Sequence, residues 1–430
     1  MKRPTEKVVL AYSGGLDTSV CVRWLREKYH MEVIALTVDL GQGSDLDEAK
    51  HRALAVGAVK AIVVDARDIF VEYFVFPALQ AGAIYEGEYP LATALGRPLI
   101  AKLLVDVADE EGATAVAHGS TGKGNDQVRF DVSVNTLAPN LQIIAPVREW
   151  KMTRDQEIEY ARKRRIPVPV TKKSPYSVDQ NLWGRSIETG VLEDPWTEPP
   201  EEIYAWTADP RNAPDEPQVI QIEFEGGIPV ALDGVRMDGV DLILKLNEIA
   251  GRHGIGRVDH VENRLVGIKS REIYEAPAAT VLHKAHQMLE DMTLSKDVAR
   301  FKTLVSKEYA DLIYNGLWFS ALHQDLRAYV VSNQRYVTGT VRMKLFKGVC
   351  HAVGRKSPCS LYSLPLATYD TGDQYDHEAA LGFIKIYGLP QSTQAQVQWL
   401  RQAPTPKELP SVTPPKVRKE ALKIATAEKE

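Results

Sequence analysis

The chain has 430 residues, a formal net charge of -5 at neutral pH, 44% hydrophobic and 25% charged residues. That length calls for two or three domains, the acidic balance gives no electrostatic case for nucleic acid as the main partner, and no run of about 18 apolar residues marks a membrane span. Cys21, Cys350 and Cys359 form no C-x-x-C pair, which argues against disulfides and structural zinc and fits a reducing cytoplasm.

Met1 to Lys7 leads straight into an apolar run too short for a signal peptide, Val8-Val9-Leu10-Ala11, which reads as a buried strand. Next come Ser13-Gly14-Gly15-Leu16-Asp17-Thr18-Ser19 and a helix pattern in which Cys21, Trp24 and Leu25 share a face. A loop between strand and helix N-terminus, with two glycines and hydroxyls on both sides, suits a phosphate group. It lacks the spacing of the nucleoside-triphosphatase P-loop. The alternative is a plain Gly-Gly turn capped by Asp or Thr.

Strands are expected at 33–38, 61–64, 114–117 and 141–144, alternating with helices, as in a parallel α/β sheet. A capping box over Ser44 to Asp47 should start one helix and Gly57 should end it. Pro98 should open another, closed by Gly112, and Thr153 with Gln156 should cap a third running to about Arg165. Ligands gather at strand C-termini in such sheets. The polar loops Tyr12–Ser19, Asp39–Gly43 and His118–Arg129 all fall there.

The character changes near Ile166-Pro167. Ser174 to Ser186 reads by default as a polar linker, and Pro195 to Pro217 as a surface crossing. An α+β second domain is expected from Gln218, with its first strand over Gln218–Phe224 and another over Val337–Phe346. Arg257–Arg264 carries dense charge; a solvated helix face is the alternative, and Val261, Leu265 and Val266 interleaved among the charges favour a buried element. Asp376–Tyr387 reads as a late helix with Ala380, Leu381, Ile384 and Tyr387 on one stripe. From about Arg401 the chain reads as a mobile tail.

His118 to Arg129 combines three glycines with Asn125, Asp126, Gln127 and Arg129, a mixture suited to a zwitterion; a polar turn at a sheet edge is the alternative. Together AYSGGLDTS, YPLATALGRPLIAK, AHGSTGKGNDQVRF, YSVDQNLWGRSIE and VENRLVGIKSREIYE resemble, in that order, the argininosuccinate synthase family, over about residues 7 to 390.

The resemblance implies an α/β fold: an N-terminal parallel-sheet pyrophosphate-loop nucleotide-binding domain (1–170), an α+β synthetase domain (171–370) and a C-terminal oligomerisation helix (371–400), before the tail (401–430). It implies ligation of citrulline and aspartate with ATP and Mg²⁺, releasing AMP and pyrophosphate, in a cytoplasmic homotetramer of arginine biosynthesis. ATP would meet Ala11, Tyr12, Ser13, Gly14, Gly15, Leu16, Asp17, Thr18, Ser19, Val38 and Gly119. Thr121, Asn125 and Asp126 would hold aspartate. Tyr89, Thr93, Asn125, Arg129, Ser177, Ser186, Glu262 and Tyr274 would hold citrulline. Asp17, Asp126 and Arg129 are the candidate catalytic residues, with Asp126 orienting or deprotonating the attacking amine, and no metal ligands are assigned. Val38 stands where the family often has Ala, and Ala94 where many members have Ser. The rival readings are another pyrophosphate-loop adenylating enzyme and a non-catalytic nucleotide-binding scaffold.

Overall fold

The computed structural model describes residues 6–43, 45–167 and 175–399. Residues up to Leu361 form one compact unit and those from Tyr362 a second. The expected tail lies outside the described residues.

The first sheet holds β1 (Lys7–Ala11), β2 (Glu32–Asp39), β3 (Lys60–Asp65), β4 (Ala115–Ala117) and β5 (Gln142–Ile144), all parallel, in the order β3-β2-β1-β4-β5. Side-chain alternation splits β1 between two cores. Val8 and Leu10 pack with Val20, Cys21 and Leu25 of the Leu16–Lys28 helix, while Val9 faces the opposite layer with Leu95 and Leu99. Because β1 is central, the loop that follows it emerges in the middle of the sheet edge.

Several local expectations hold. Gly57 and Gly112 end their helices in left-handed conformation, and Thr153 and Gln156 form a full capping box. Others are corrected. The helix expected to open at Pro98 runs from Ala92 to Glu111 with Pro98 inside it. Its leading N–H groups are capped from outside, by the Tyr89 hydroxyl, which accepts from Thr93 N–H at 2.9 Å and Ala94 N–H at 3.4 Å. Ser44 lies outside the described residues, and the N-cap of the Leu46–Val56 helix is Asp45, whose carboxylate accepts from Glu48 N–H.

The stretch expected to be a linker is a hairpin, β6 (Ser177–Asn181) and β7 (Gly184–Glu188). Gln218–Glu225 (β8) is therefore not the first strand after the parallel sheet. It joins β9 (Ile228–Leu232) and β10 (Val235–Arg236) in a second sheet. The charged stretch forms β11 (Arg257–Asn263), an edge strand paired with β12 (Lys269–Glu275). It is not buried as expected: Val261 and Val266 face solvent, and edge pairing lets charges alternate outward while Glu262 turns inward. β13 (Gly339–Phe346) and β14 (Val349–Lys356) complete the second sheet, β10-β9-β8-β13-β14, and the third runs β11-β12-β7-β6.

In the second unit the helix His377–Tyr387 starts at Asp376, which caps Ala379 N–H at 2.8 Å. It leaves Leu381, Phe383, Ile384, Ile386 and Tyr387 exposed. Among the described residues no helix is long and apolar enough to cross a membrane.

Candidate active site

The loops after β1, β2 and β4 converge on one cavity of about 680 Å³. The hairpin β6–β7 covers it because its backbone docks on the loop after β2: Leu182 N–H donates to Leu40 C=O at 2.8 Å, and Gln180 Nε2 donates to Gln42 C=O at 2.5 Å. Asn181 Nδ2 donates to Ala92 C=O and Trp183 Nε1 to Pro90 C=O, which fixes the same hairpin to the start of the Ala92–Glu111 helix.

At the sheet end, Gly14 takes φ +80° and Gly15 is the N-cap of the Leu16–Lys28 helix with no side-chain cap. The first helical N–H groups thus lack a side-chain acceptor, and Gly15, Leu16, Asp17 and Thr18 line the cavity, the arrangement an anion site requires. This excludes the turn capped by Asp or Thr. Ser13 Oγ lies 3.2 Å from Thr18 Oγ1, and Tyr12 Oη lies 2.9 Å from Ser19 Oγ. Ala11, Tyr12, Ser13, Gly15, Leu16, Asp17 and Thr18 line the wall, as do Val38 and Gly119. Gly14 and Ser19 do not: the Gly14 carbonyl turns to Arg52, and Ser19 is fully buried behind the loop.

At the other end stand Tyr89, Thr93, Thr121, Asn125, Asp126, Arg129, Ser186, Glu262 and Tyr274. Tyr89 and Tyr274 stack with centroids 4.1 Å apart, and Tyr274 Oη donates to Glu262 Oε2 at 2.5 Å. Arg129 is buried; its Nη1 donates to Asp126 Oδ1 at 2.9 Å, while its Nη2 has no partner. Ser177 is exposed at the head of β6, outside the wall, with its N–H on Thr189 Oγ1. Ala94 is fully buried in the core.

Sequence reasoning missed Arg97, Asp179, Arg154, Glu188, Arg264 and Glu272, all on the wall. Arg97 bonds Asp126 at 2.8 Å and also Asp179. Burial would raise the Asp126 carboxyl, but Arg97 and Arg129 outweigh it and hold Asp126 below the usual carboxylate range. Burial, with Glu188 nearby, pushes Glu272 up to about 8, against the pull of Arg264. Arg97 and Arg264 lay inside quoted motifs, but nothing in their spacing told them from surface charge.

The fold and this cavity define an α/β protein of nucleotide-binding type, whose Gly14–Gly15 loop shares its cavity with a wall of paired charges and phenols. Residues 7–167 match the family described as the arginosuccinate synthase N-terminal HUP domain, and residues 176–394 the arginosuccinate synthase C-terminal domain. The argininosuccinate synthase of Dehalococcoides mccartyi is 62% identical over 394 residues, covering 92% of this chain and 97% of that protein. Those of Oceanobacillus iheyensis and Symbiobacterium thermophilum are each 59% identical, covering 91% of this chain and 94% and 98% of their own. The chain belongs to the argininosuccinate synthase family and is an enzyme of that family.

Proposed function

We propose that the chain joins citrulline and aspartate in two stages, splitting ATP to AMP and pyrophosphate, through a citrulline-adenylate. The observation that carries this reading is one cavity lined both by the uncapped helix N-terminus behind Ser13–Thr18 and by the Asp126–Arg129 ion pair with Glu262. The first suits a polyphosphate, the second an amino-acid zwitterion.

A ureido carbonyl is a poor electrophile, because two nitrogens donate into it. Its oxygen attacks the α-phosphorus of ATP, and the bond to the bridging oxygen breaks. Pyrophosphate leaves toward Ser13, Gly15 and Thr18, where backbone N–H groups and hydroxyls stabilise the growing charge. The aspartate amine then adds to the activated carbon, the carbon–oxygen bond breaks, and AMP departs with that oxygen. Asp126, held by two guanidiniums, is a weak base, so its part is to orient aspartate together with Thr121 and Asn125. Tyr89, Thr93, Ser186 and Tyr274 position citrulline, with Ser177 at the rim. Close placement of three ligands supplies much of the rate.

Among the described residues no cluster of three or more His, Cys, Asp or Glu could hold a metal. Asp17, at the loop and on the cavity wall, is the carboxylate that would help hold Mg²⁺ arriving with the nucleotide. When bound the ion neutralises charge on the phosphates.

On this reading residues 1–170 bind ATP, 171–370 complete the amino-acid site, and 371–400 join four copies in the cytoplasm. The test is release of AMP and pyrophosphate with each substrate omitted in turn. Release that needs both amino acids, with argininosuccinate identified by mass, supports the reading; release without citrulline overturns it.

A further inference from the structure

Two groups offered to the citrulline zwitterion, the cation of Arg129 and the anion of Glu262, come from distant parts of the chain. Both end on Tyr314. The Tyr314 carbonyl accepts from Arg129 Nε at 2.8 Å, and its hydroxyl donates to Glu262 Oε1. The same hydroxyl accepts from Asn125 Nδ2 at 2.8 Å, while Asn125 Oδ1 takes the Leu265 N–H at 2.9 Å. The Arg129 guanidinium also lies over the Tyr314 ring at 4.8 Å.

The residue itself has little freedom. Tyr314 is the last residue of the Lys296–Tyr314 helix and is 1% exposed. Tyr85 stacks on its ring at 3.6 Å between centroids and anchors its own hydroxyl on Asn263 C=O. Just beyond, Gly316 has φ +76°, and a Cβ there would sit 2.8 Å from Arg129 Cα, so the chain passes Arg129 where only glycine fits. Tyr314 does not line the cavity; it stands behind the groups that do.

We propose that Tyr314 is a positioning residue that sets the separation of cation and anion in the citrulline clamp, and through Asn125 ties that clamp to the aspartate side. This rests on the reading that Arg129 and Glu262 hold citrulline. The physical reason is division of labour within one residue: the carbonyl fixes the guanidinium, and the phenol takes one carboxylate oxygen while Tyr274 takes the other. With both oxygens held, Glu262 has one orientation toward an ammonium group.

The test is Tyr314→Phe, which keeps the carbonyl, the ring stack and the helix. Wild-type turnover with citrulline is measured first; its absence would fail the parent reading and not this one. In the variant the KM for citrulline should rise by about 10–30-fold, as for loss of a charge-assisted hydrogen bond, while the KM for ATP stays within about twofold. Glu262→Gln should raise it as well, and the double variant should show less than the product of the two effects, because both remove one coupled unit. Wild-type preference for citrulline over 5-ureidopentanoate, which lacks the amine, should narrow in Tyr314→Phe. An unchanged citrulline KM, equal rises for citrulline and ATP, or full additivity would overturn the proposal. Should the variant fail to fold, 3-fluorotyrosine at position 314 keeps the ring and its hydroxyl, adding one small ring atom and making the hydroxyl a stronger donor. A citrulline KM shifted at constant ATP KM supports the role, and no shift overturns it.

Discussion

Arg97 holds Asp126 through Nε at 2.8 Å, 29 residues further along the chain, and the same guanidinium reaches Asp179 on the covering hairpin. One cation thus links the helix beginning at Ala92, the helix beginning at Asp126 and β6. Arg97→Met would leave two carboxylates facing each other with one guanidinium, Arg129, still on Asp126. The expected result is a loss of about 1–3 kcal/mol of stability, the scale for leaving a partly buried charged group short of its hydrogen bond, read from denaturant midpoints. The KM for aspartate should rise roughly tenfold or more, with the ATP value changing less.

The two loop glycines should separate by experiment. Gly15 has φ -76°, which any residue adopts, and a Cβ there meets nothing nearer than Ser13 Oγ at 3.5 Å. Gly15→Ala should therefore fold as the wild type yet raise the KM for ATP, since the added methyl stands on the anion side. Gly14 has φ +80°, and its Cβ would lie 3.2 Å from Ala49 Cβ. Gly14→Ala should cost about 1–3 kcal/mol in stability. Calorimetry with ATP titration distinguishes the two; equal melting temperatures for both variants would contradict the geometry.

Glu157 is buried beside Asp17, and Arg154 bridges toward both, at 2.5 Å to Asp17 and 3.7 Å to Glu157. Burial, then the Asp17 charge, pushes Glu157 up to about 8. A carboxyl raised in the folded chain keeps a proton that the unfolded chain has lost. Its contribution is full below the unfolded value near about 4.3 and declines as pH rises toward 8. Thermal midpoints of the wild type should fall as pH rises from about 4.3 to 8, and Glu157→Gln should remove part of that fall, leaving the share of Glu272. The Cys21 thiol, raised by burial and by the same two acids, keeps its proton in the folded chain while an unfolded thiol loses it at about 8.5, so it adds to the fall only at the alkaline end.

The His377–Tyr387 helix exposes Leu381 and Ile384, each more than 60% accessible, on a segment well capped at Asp376. An apolar face of that kind on a formed helix calls for a partner. Leu381→Asp with Ile384→Asp should convert the expected tetramer to smaller species in sedimentation while the folded content by circular dichroism is kept. Unchanged sedimentation would move the subunit contact elsewhere.

Local chemistry was legible in the sequence. The apolar run at Val8–Ala11, the capping box at Thr153, the left-handed glycines at 57 and 112 and the alternation of Gln218–Phe224 each depend on neighbours a few residues away, so spacing alone identified them. The strand–Gly-Gly–helix turn at Ser13–Ser19 belongs with these, because a strand, two glycines and a helix start suffice to build it. Tertiary structure decided what depends on distant partners. The helix begins at Ala92, upstream of Pro98, because Tyr89 caps its first N–H groups. Residues 177–188 became a hairpin because β12 and the Leu40–Gln42 loop receive it. Val261 turned outward because β11 lies on a sheet edge. Arg97 and Tyr314 acquired their parts from contacts made across 29 to 189 residues of chain. A backbone pattern records its own period, but the partner of a buried charge is chosen by whichever segments the folded core brings within hydrogen-bond reach.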